Sequence, residues 1–281
     1  VMRIDVPEHH GEVDVKGAYI RGLDSFAVKL SSGFFDNPRR GLPTASGLMV
    51  LIDAQTGVPR AVLLDNGYLT DVRTALAGAV AADALARAAV DTVAVLGAGA
   101  QARWQLRALM LVRWPRRALV WARRRPEAER MAKEMTEQLG IPVEAVDEAE
   151  RAVSESDLVV TTTPATQPIV RAGWLHPGLH VTAMGSDAEH KQELEPAVLR
   201  RADVVVSDRR SQGLAIGELR SAREAGVDVS EERVAELGEV LAGTRPGRTS
   251  EDQITVCDLT GTGVQDTAIA RLAAARAKAS G

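Results

Sequence analysis

Hydrophobic and polar positions change rhythm twice along this chain. Up to about residue 70, short β-type runs at Tyr19 to Leu30, Gly47 to Asp53 and Arg60 to Leu64 alternate with clusters of Gly, Pro, Asn and Asp. Asp53-Ala54-Gln55-Thr56-Gly57, between two of these runs, reads as a hairpin connection. Thr70 to Ala89 then becomes alanine-rich with helical spacing, which predicts a long helix whose small side chains allow close packing. From Asp91 onward, apolar runs at Thr92–Leu96, Ala118–Ala122, Val143–Ala145, Leu158–Thr161, His180–Ala183 and Val204–Ser207 are separated by helical segments, among them Asp147 to Ser156. That alternation predicts an α/β fold with a doubly wound parallel sheet beside a second, strand-rich region. Glu231 to Ala242 reads as helical, Thr244 to Asp252 as a polar connection, Ile254 to Asp258 as a last strand and Gln265 to Ala279 as a C-terminal helix.

The most informative segment is Thr92 to Ala102, T-V-A-V-L-G-A-G-A-Q-A, a buried-strand pattern that breaks at Gly97-Ala98-Gly99 and resumes as a helix at Ala100-Gln101. A dinucleotide pyrophosphate can sit on backbone N–H groups at a helix N-terminus only where the turn lacks bulky side chains. Gly97 suits the tight turn, Gly99 the close approach to phosphate and Ala102 the packing of helix on strand, so the Rossmann type of sheet is expected here. A purely structural glycine turn is the competing account.

About twenty residues past such a turn, an acid commonly holds the ribose 2′-OH of NAD. In this chain the second strand runs into Arg123, Arg124 and Arg125, with no acid before Glu127. Guanidinium groups suit a 2′-phosphate, so NADP(H) is favoured while NAD(H) stays open, and a solvated basic loop is the plainer reading. Thr161-Thr162-Thr163 closes a strand at the carboxyl edge, where ligands bind. These threonines are candidates for hydrogen bonds to the cofactor, and equally for a turn-forming cluster.

Composition narrows the classes. The 281 residues are 45% hydrophobic and 26% charged, enough for two domains with a large core. A formal net charge of −4 argues against a general nucleic-acid or membrane partner and for small-molecule chemistry. The single cysteine, Cys257, reads as a buried strand residue, and the five histidines lack zinc-ligand spacing, so no catalytic metal is expected. With no run of eighteen apolar residues and no signal-peptide layout in V-M-R-I-D-V, a cytoplasmic location is expected.

Three residues stand out as reaction candidates. Lys29 ends F-A-V-K ahead of Ser31-Ser32-Gly33, and Arg73 lies one turn into the long helix. Both are placed to hold a substrate carboxylate, and both also suit surface ion pairs. Asp187 follows H-V-T-A-M at a Gly185-Ser186 turn on the carboxyl edge, where it could pass protons to a substrate nitrogen or cap a helix. Met184 and Gly185, on the same turn, are candidate cofactor contacts.

F-A-V-K-L-S-S-G-F-F-D-N (26–37), L-T-D-V-R-T-A (69–75), G-A-G-A-Q-A (97–102), A-M-G-S-D-A-E-H-K-Q-E-L (183–194) and D-L-T-G-T-G-V-Q-D (258–266) together resemble the ornithine cyclodeaminase and μ-crystallin family. G-F-F-D-N, L-L-D-N-G-Y-L-T-D-V-R-T and M-G-S-D-A-E-H-K look most like the ectoine-utilisation branch, while H-K-Q-E-L and I-G-E (216–218) look like iminosuccinate reductase. The resemblance implies that Lys29 and Arg73, with Arg3, bind substrate and that Asp187 is the catalytic acid/base, with Lys29 beside it in the reaction. It implies that Thr74 touches cofactor phosphate beside Gly97, Ala98, Gly99, Ala100 and Gln101, and that Val264 to Asp266 lie near nicotinamide.

It also implies a homodimer. The substrate and dimerisation domain would comprise 1–75 plus 264–281, and the dinucleotide-binding domain 76–263. Family members carry helical sequence ahead of the Arg3 position that this sequence does not show. The run at 123–125 departs from the acid of the cyclodeaminases toward the NADP-using μ-crystallin type.

Three functions follow from the resemblance. The first is NAD(P)-dependent reduction of a small imino acid to an amino acid, in ectoine or related amino-acid catabolism. The second is redox-neutral cyclodeamination, a lyase reaction that releases ammonia with the same residues. The third is a μ-crystallin-type binder without chemistry, against which the joint presence of Lys29, Arg73 and Asp187 argues.

Overall fold

Five consecutive strands, β1 (Met2–Val6), β2 (Gly11–Ala18), β3 (Ser25–Phe34), β4 (Ala45–Asp53) and β5 (Pro59–Leu63), pair in chain order as one antiparallel sheet. This is a computed structural model that describes residues 2–280. Residues up to Thr74 and those from Thr262 form one unit, and Ala75–Gly261 form another.

Side chains alternate across a strand, so the cross-strand register sorts the first unit into two faces. One face carries Ala27, Met49 and Leu51, which bury against Leu69 and Ala270. Ala270 belongs to the C-terminal helix α9 (Gly263–Ser280), whose small residues let it lie close to the sheet. The Thr267 hydroxyl locks it there, donating to Ala18 O at 2.7 Å and accepting from Ala27 N at 3.0 Å. On the other face the rows Met2–Val15–Leu30–Leu48, Ile4–Val13 and Val28–Val50–Val62 stand side by side. Met2 and Val62 are more than half exposed, at 56% and 57%.

The strand expected from Tyr19 begins only at Ser25, after a turn at Gly22, and β1 and β2 were not anticipated. Their charged residues point to one face and their aliphatic residues to the other.

In the second unit, eight parallel strands stand in the order β12-β11-β13-β10-β9-β6-β7-β8. They are β6 (Thr92–Leu96), β7 (Arg117–Trp121), β8 (Val143–Ala145), β9 (Leu158–Thr161), β10 (His180–Ala183), β11 (Val204–Ser207), β12 (Val234–Glu236) and β13 (Thr255–Asp258). On one side Val93 and Val95 pack against α1 (Tyr68–Leu85), α2 (Ala100–Leu109) and α3 (Arg125–Leu139) through Ala82, Leu106, Leu109 and Met131. On the other, Val159 and Val181 pack against α4 (Ala149–Ser154), α5 (Pro196–Arg201) and α7 (Glu218–Glu224) through Val153, Val198 and Leu219. The helix α6 (Arg210–Ile216) runs directly into α7. The strand order reverses between β6 and β9, and ligands of this class of sheet bind outside the carboxyl ends at such a switch point.

Two expectations need correction. The helix predicted over Glu231–Ala242 is an edge strand followed by a short helix, α8 (Leu237–Leu241). Val234 and Ala235 pair with β11, and Glu236 and Glu239 form a capping box that starts the helix there. The long helix α1 ends at Leu85 rather than Ala89. The Leu85 carbonyl is taken by Arg248 Nε at 2.7 Å and Thr255 Oγ1 at 3.0 Å. Among the described residues no helix is long and apolar enough to cross a membrane.

Candidate active site

The glycine turn is built for a ligand that approaches backbone. Gly97 has φ +132°, and a Cβ on it would collide with the Thr162 hydroxyl and lie 3.1 Å from Thr162 O. Any larger residue there would therefore be strained twice over. Gly99 starts α2 with no side-chain cap, and the first turn holds no acid. Nothing lies within 4 Å of a Cβ built on Gly99, while Ala102 is fully buried against the sheet. Arg103 donates to Ala98 O at 2.6 Å and Gly99 O at 3.1 Å, which fastens the turn by its carbonyls. Around Ala98, Ala100 and Gln101 the uncapped helix start thus offers N–H groups to an anion, and a pyrophosphate fits it.

Beyond β7 the arginine run borders a pocket of 540 Å³ lined by Trp121, Ala122, Arg123, Arg125, Asp147 and Ile169 among others. Local carboxylates already engage two of the three arginines. Arg124 pairs with Glu127, and Arg125 pairs with Asp147 and with Glu129 at 2.9 Å. Arg123 is exposed, and among the described residues no carboxylate pairs with it. Only Arg123 of the run therefore reaches the pocket without a carboxylate to compete for it.

The two loops leaving β9 and β10 carry the remaining candidates of this unit. Thr161 is fully buried, and its hydroxyl donates to Glu193 Oε2 at 2.5 Å. This corrects its expected cofactor contact, because the hydroxyl is spent inside the protein. Thr162 is half-buried with its hydroxyl 3.3 Å from Leu96 O, against the glycine turn. Met184 and Gly185 are half-buried on the second loop, where Gln105 Nε2 meets Met184 Sδ at 2.8 Å.

Asp187 caps no helix. Its side chain is 41% exposed, and Lys191 Nζ donates to Oδ1 at 2.6 Å across a tight turn closed by the bond from Ser186 Oγ to Lys191 O. Glu193 and Lys191 were not singled out from the sequence. Their only signal was their place in the run that carries Asp187.

The first unit gathers a second constellation. Lys29 on β3 is 1% exposed and its Nζ lies 3.2 Å from Asp266 Oδ1. The Arg73 Nε lies 3.0 Å from the same oxygen, and Nη1 donates to Gln265 Oε1 at 3.0 Å. Two buried cations thus share one carboxylate, which leaves the cluster an anion short. Burial and the Arg73 charge bring the Lys29 amine down to about 7, against the opposing pull of Asp266. Lys16, the cross-strand neighbour of Lys29, is also buried and adds to that lowering.

Arg3 lies on the same sheet face, opposite Asp14, and pairs with Glu12 and Asp5. Two carboxylates therefore already hold it. Thr74 is half-buried on α1, and Val264 is 44% exposed at the start of α9. Sequence reasoning placed Asp266 only as a neighbour of nicotinamide. Its contact with Lys29 and Arg73 comes from the close docking of α9.

An uncapped glycine turn at the switch point of a doubly wound sheet defines the second unit as a dinucleotide-binding fold. The chain belongs to the ornithine cyclodeaminase/μ-crystallin family, whose pattern matches residues 2–281. A protein of Sinorhizobium fredii described as an uncharacterized cyclodeaminase is 56% identical over 99% of this chain and 84% of its own length. The Thermococcus litoralis Δ1-pyrroline-2-carboxylate reductase, solved with NADH and L-proline, superposes with a TM-score of 0.91 at 32% identity, covering 97% of this chain and 84% of that one. An archaeal alanine dehydrogenase, solved as a dimer with bound NAD, gives a TM-score of 0.87 at 34% identity over 96% and 82% of the two chains.

Proposed function

We propose that this protein is an NAD(P)-dependent oxidoreductase that reduces the C=N bond of a small imino acid to the corresponding amino acid. The observation that carries the reading is the buried Lys29–Arg73–Asp266 cluster, whose two cations over one carboxylate invite a substrate carboxylate. Lys29 and Arg73 bind that group and thereby fix the position of the adjacent α-carbon. Asp187 holds a proton at the imine nitrogen, with Lys191 steadying its carboxylate. The reduced dinucleotide, when bound, supplies the hydride that ends on the α-carbon, and the nitrogen gains the proton. Arg3, Thr74, Met184, Gly185 and Val264 serve as flanking contacts.

Arg123 favours NADP(H), since among the described residues it is the arginine of its run that no carboxylate pairs with. The Thermococcus litoralis reductase was solved with NADH and the archaeal alanine dehydrogenase with NAD, which keeps NAD(H) open. The exposed aliphatic face of the five-stranded sheet supports a homodimer, in which a second copy covers it. The enzyme is placed in the cytoplasm. The narrower likeness to ectoine-utilisation proteins and to iminosuccinate reductase points to dicarboxylic and diamino acids as the substrates to try first.

Redox-neutral cyclodeamination is the second reading, favoured by the relative described as a cyclodeaminase. A panel of imino and diamino acids with each nicotinamide nucleotide separates the two. Consumption of NAD(P)H absorbance on an imino acid supports reduction. Ammonia release from a diamino acid at constant absorbance supports cyclodeamination. Neither response with any substrate refutes both.

A further inference from the structure

Glu193 is fully buried, yet its carboxylate meets four donors. Oε2 accepts from Thr161 Oγ1 at 2.5 Å and from Gly185 N at 2.7 Å. Oε1 accepts from Thr163 N at 2.6 Å and from Thr163 Oγ1 at 2.7 Å. Two donors per oxygen match the lone pairs of an ionised carboxylate, and an added proton would displace one of them. Burial raises the Glu193 pKa above the ordinary carboxylate value, and the donors from Thr161, Thr163 and Gly185 pull against that rise.

The donors come from the end of β9 with the loop that follows it, Thr161 and Thr163, and from the loop after β10, Gly185. Thr161 and Thr163 flank Thr162, which lies against Gly97 of the glycine turn. Gly185 stands two residues before Asp187. A side chain at Gly185 would collide with Thr163 O and lie 2.5 Å from the Glu193 carboxylate, so the loops close on that group without a gap. Glu193 is itself anchored from behind. The buried Glu218 carboxylate accepts from Glu193 N at 2.7 Å and from Leu194 N at 3.2 Å.

We infer that Glu193 is a positioning residue whose carboxylate sets the register between the loop carrying Thr162 and the loop carrying Met184 to Asp187. The inference rests on the proposed dinucleotide-dependent reaction. It adds that the acid and the nicotinamide end of the cofactor are aligned by a group touching neither. The glycine turn that takes the pyrophosphate belongs to β6 and α2, which Glu193 does not touch. The turn meets the held loop at Thr162, whose own N–H bonds Leu96 O at 2.9 Å without help from Glu193, so loss of the carboxylate should disturb the reacting end more than the pyrophosphate anchor.

Glu193→Gln keeps the volume but turns one acceptor into a donor, so in either orientation one backbone N–H, of Gly185 or of Thr163, loses its acceptor and the hydroxyl beside it must reverse its role. Fluorescence titration should show ADP-ribose binding within twofold of wild type and NADH binding weakened about tenfold. Turnover should fall at least tenfold in protein that melts as one folded species. Glu193→Asp, one methylene shorter, should fail to rescue because it cannot span both loops. Thr163→Val, which removes a single donor and keeps the charge, should show a smaller loss of the same kind and serves if Glu193→Gln does not fold.

Wild-type turnover and NADH affinity in folded Glu193→Gln, or in Thr163→Val where that is the folded variant, would overturn the inference and leave the proposed function standing. Equal losses for ADP-ribose and NADH would overturn it too, since they mark general damage to the fold. Wild-type protein that binds no nicotinamide nucleotide would remove both.

Discussion

Replacing Lys29 by Met should stabilise the protein while disabling it, and the gain should depend on pH. The amine titrates near 7 in the fold against an ordinary 10.5. A gap of this size corresponds to ~5 kcal/mol at ~1.4 kcal/mol per pH unit. Because the folded value is the lower one, the unfolded chain binds the proton more tightly. Below pH 7 both states carry it and the folded state bears the whole penalty. As pH rises from about 7 toward 10.5, the penalty shrinks and then vanishes.

Methionine fills the same space without a charge, and Asp266 keeps Arg73 as a partner at 3.0 Å. Lys29→Met should therefore gain ~5 kcal/mol at pH 6 and ~2 kcal/mol at pH 9. Urea unfolding of both proteins at the two pH values, compared on the same transition, reads the difference. Loss of a charged contact to the substrate should meanwhile raise KM ~10- to 100-fold. A gain that is equal at pH 6 and pH 9, or a variant less stable than wild type at pH 6, would refute the reasoning.

Other outcomes follow from the same geometry. Gly97→Ala should cost ~1–3 kcal/mol for its positive φ and abolish the melting-temperature rise given by NADH, so an unchanged thermal shift would count against the turn as the anchor. Arg123→Ser should raise KM for NADPH ~10-fold and leave NADH within twofold, and equal effects on both would remove Arg123 from coenzyme choice. Leu30→Glu, at an exposed position of the row Met2–Val15–Leu30–Leu48, should convert a dimer to monomer in light scattering. A variant that stays dimeric would move the interface elsewhere.

Much of the architecture was legible because the second unit follows simple rules. Its core strands are apolar on both faces, and the glycine turn stands between the first strand and its helix, so periodicity and a short motif located them to within a residue or two. The edges were harder. β12 carries only Val234 to Glu236, and its pairing with β11 outweighs a local pattern that reads as helix. In β1 and β2 the alternation Arg3, Ile4, Asp5 and Glu12, Val13, Asp14 is a plain period of two, but dense charge masks it.

The site divides the same way. Lys29, Arg73 and Asp187 were visible as charged residues in short, recognisable motifs, although Lys29 does not end its strand as expected but lies in the middle of β3, Arg73 lies inside α1, and only Asp187 stands on a loop. Asp266 was not visible as a counter-ion, because its role depends on a helix more than two hundred residues beyond Lys29 docking onto the first sheet. Thr161 misled because a hydroxyl at a carboxyl edge suits a ligand, and only the buried Glu193 shows where it goes.

Transfer of deuterium from nicotinamide deuterated at the hydride position, followed by mass spectrometry of the product, tests the central claim most directly. With an accepted imino acid, the account predicts one deuterium on the α-carbon of the amino acid, matched by oxidised cofactor in equal amount and formed more slowly by Lys29→Met at low substrate concentration. Product that carries no deuterium, or cofactor oxidation no faster than in the protein's absence, would contradict it.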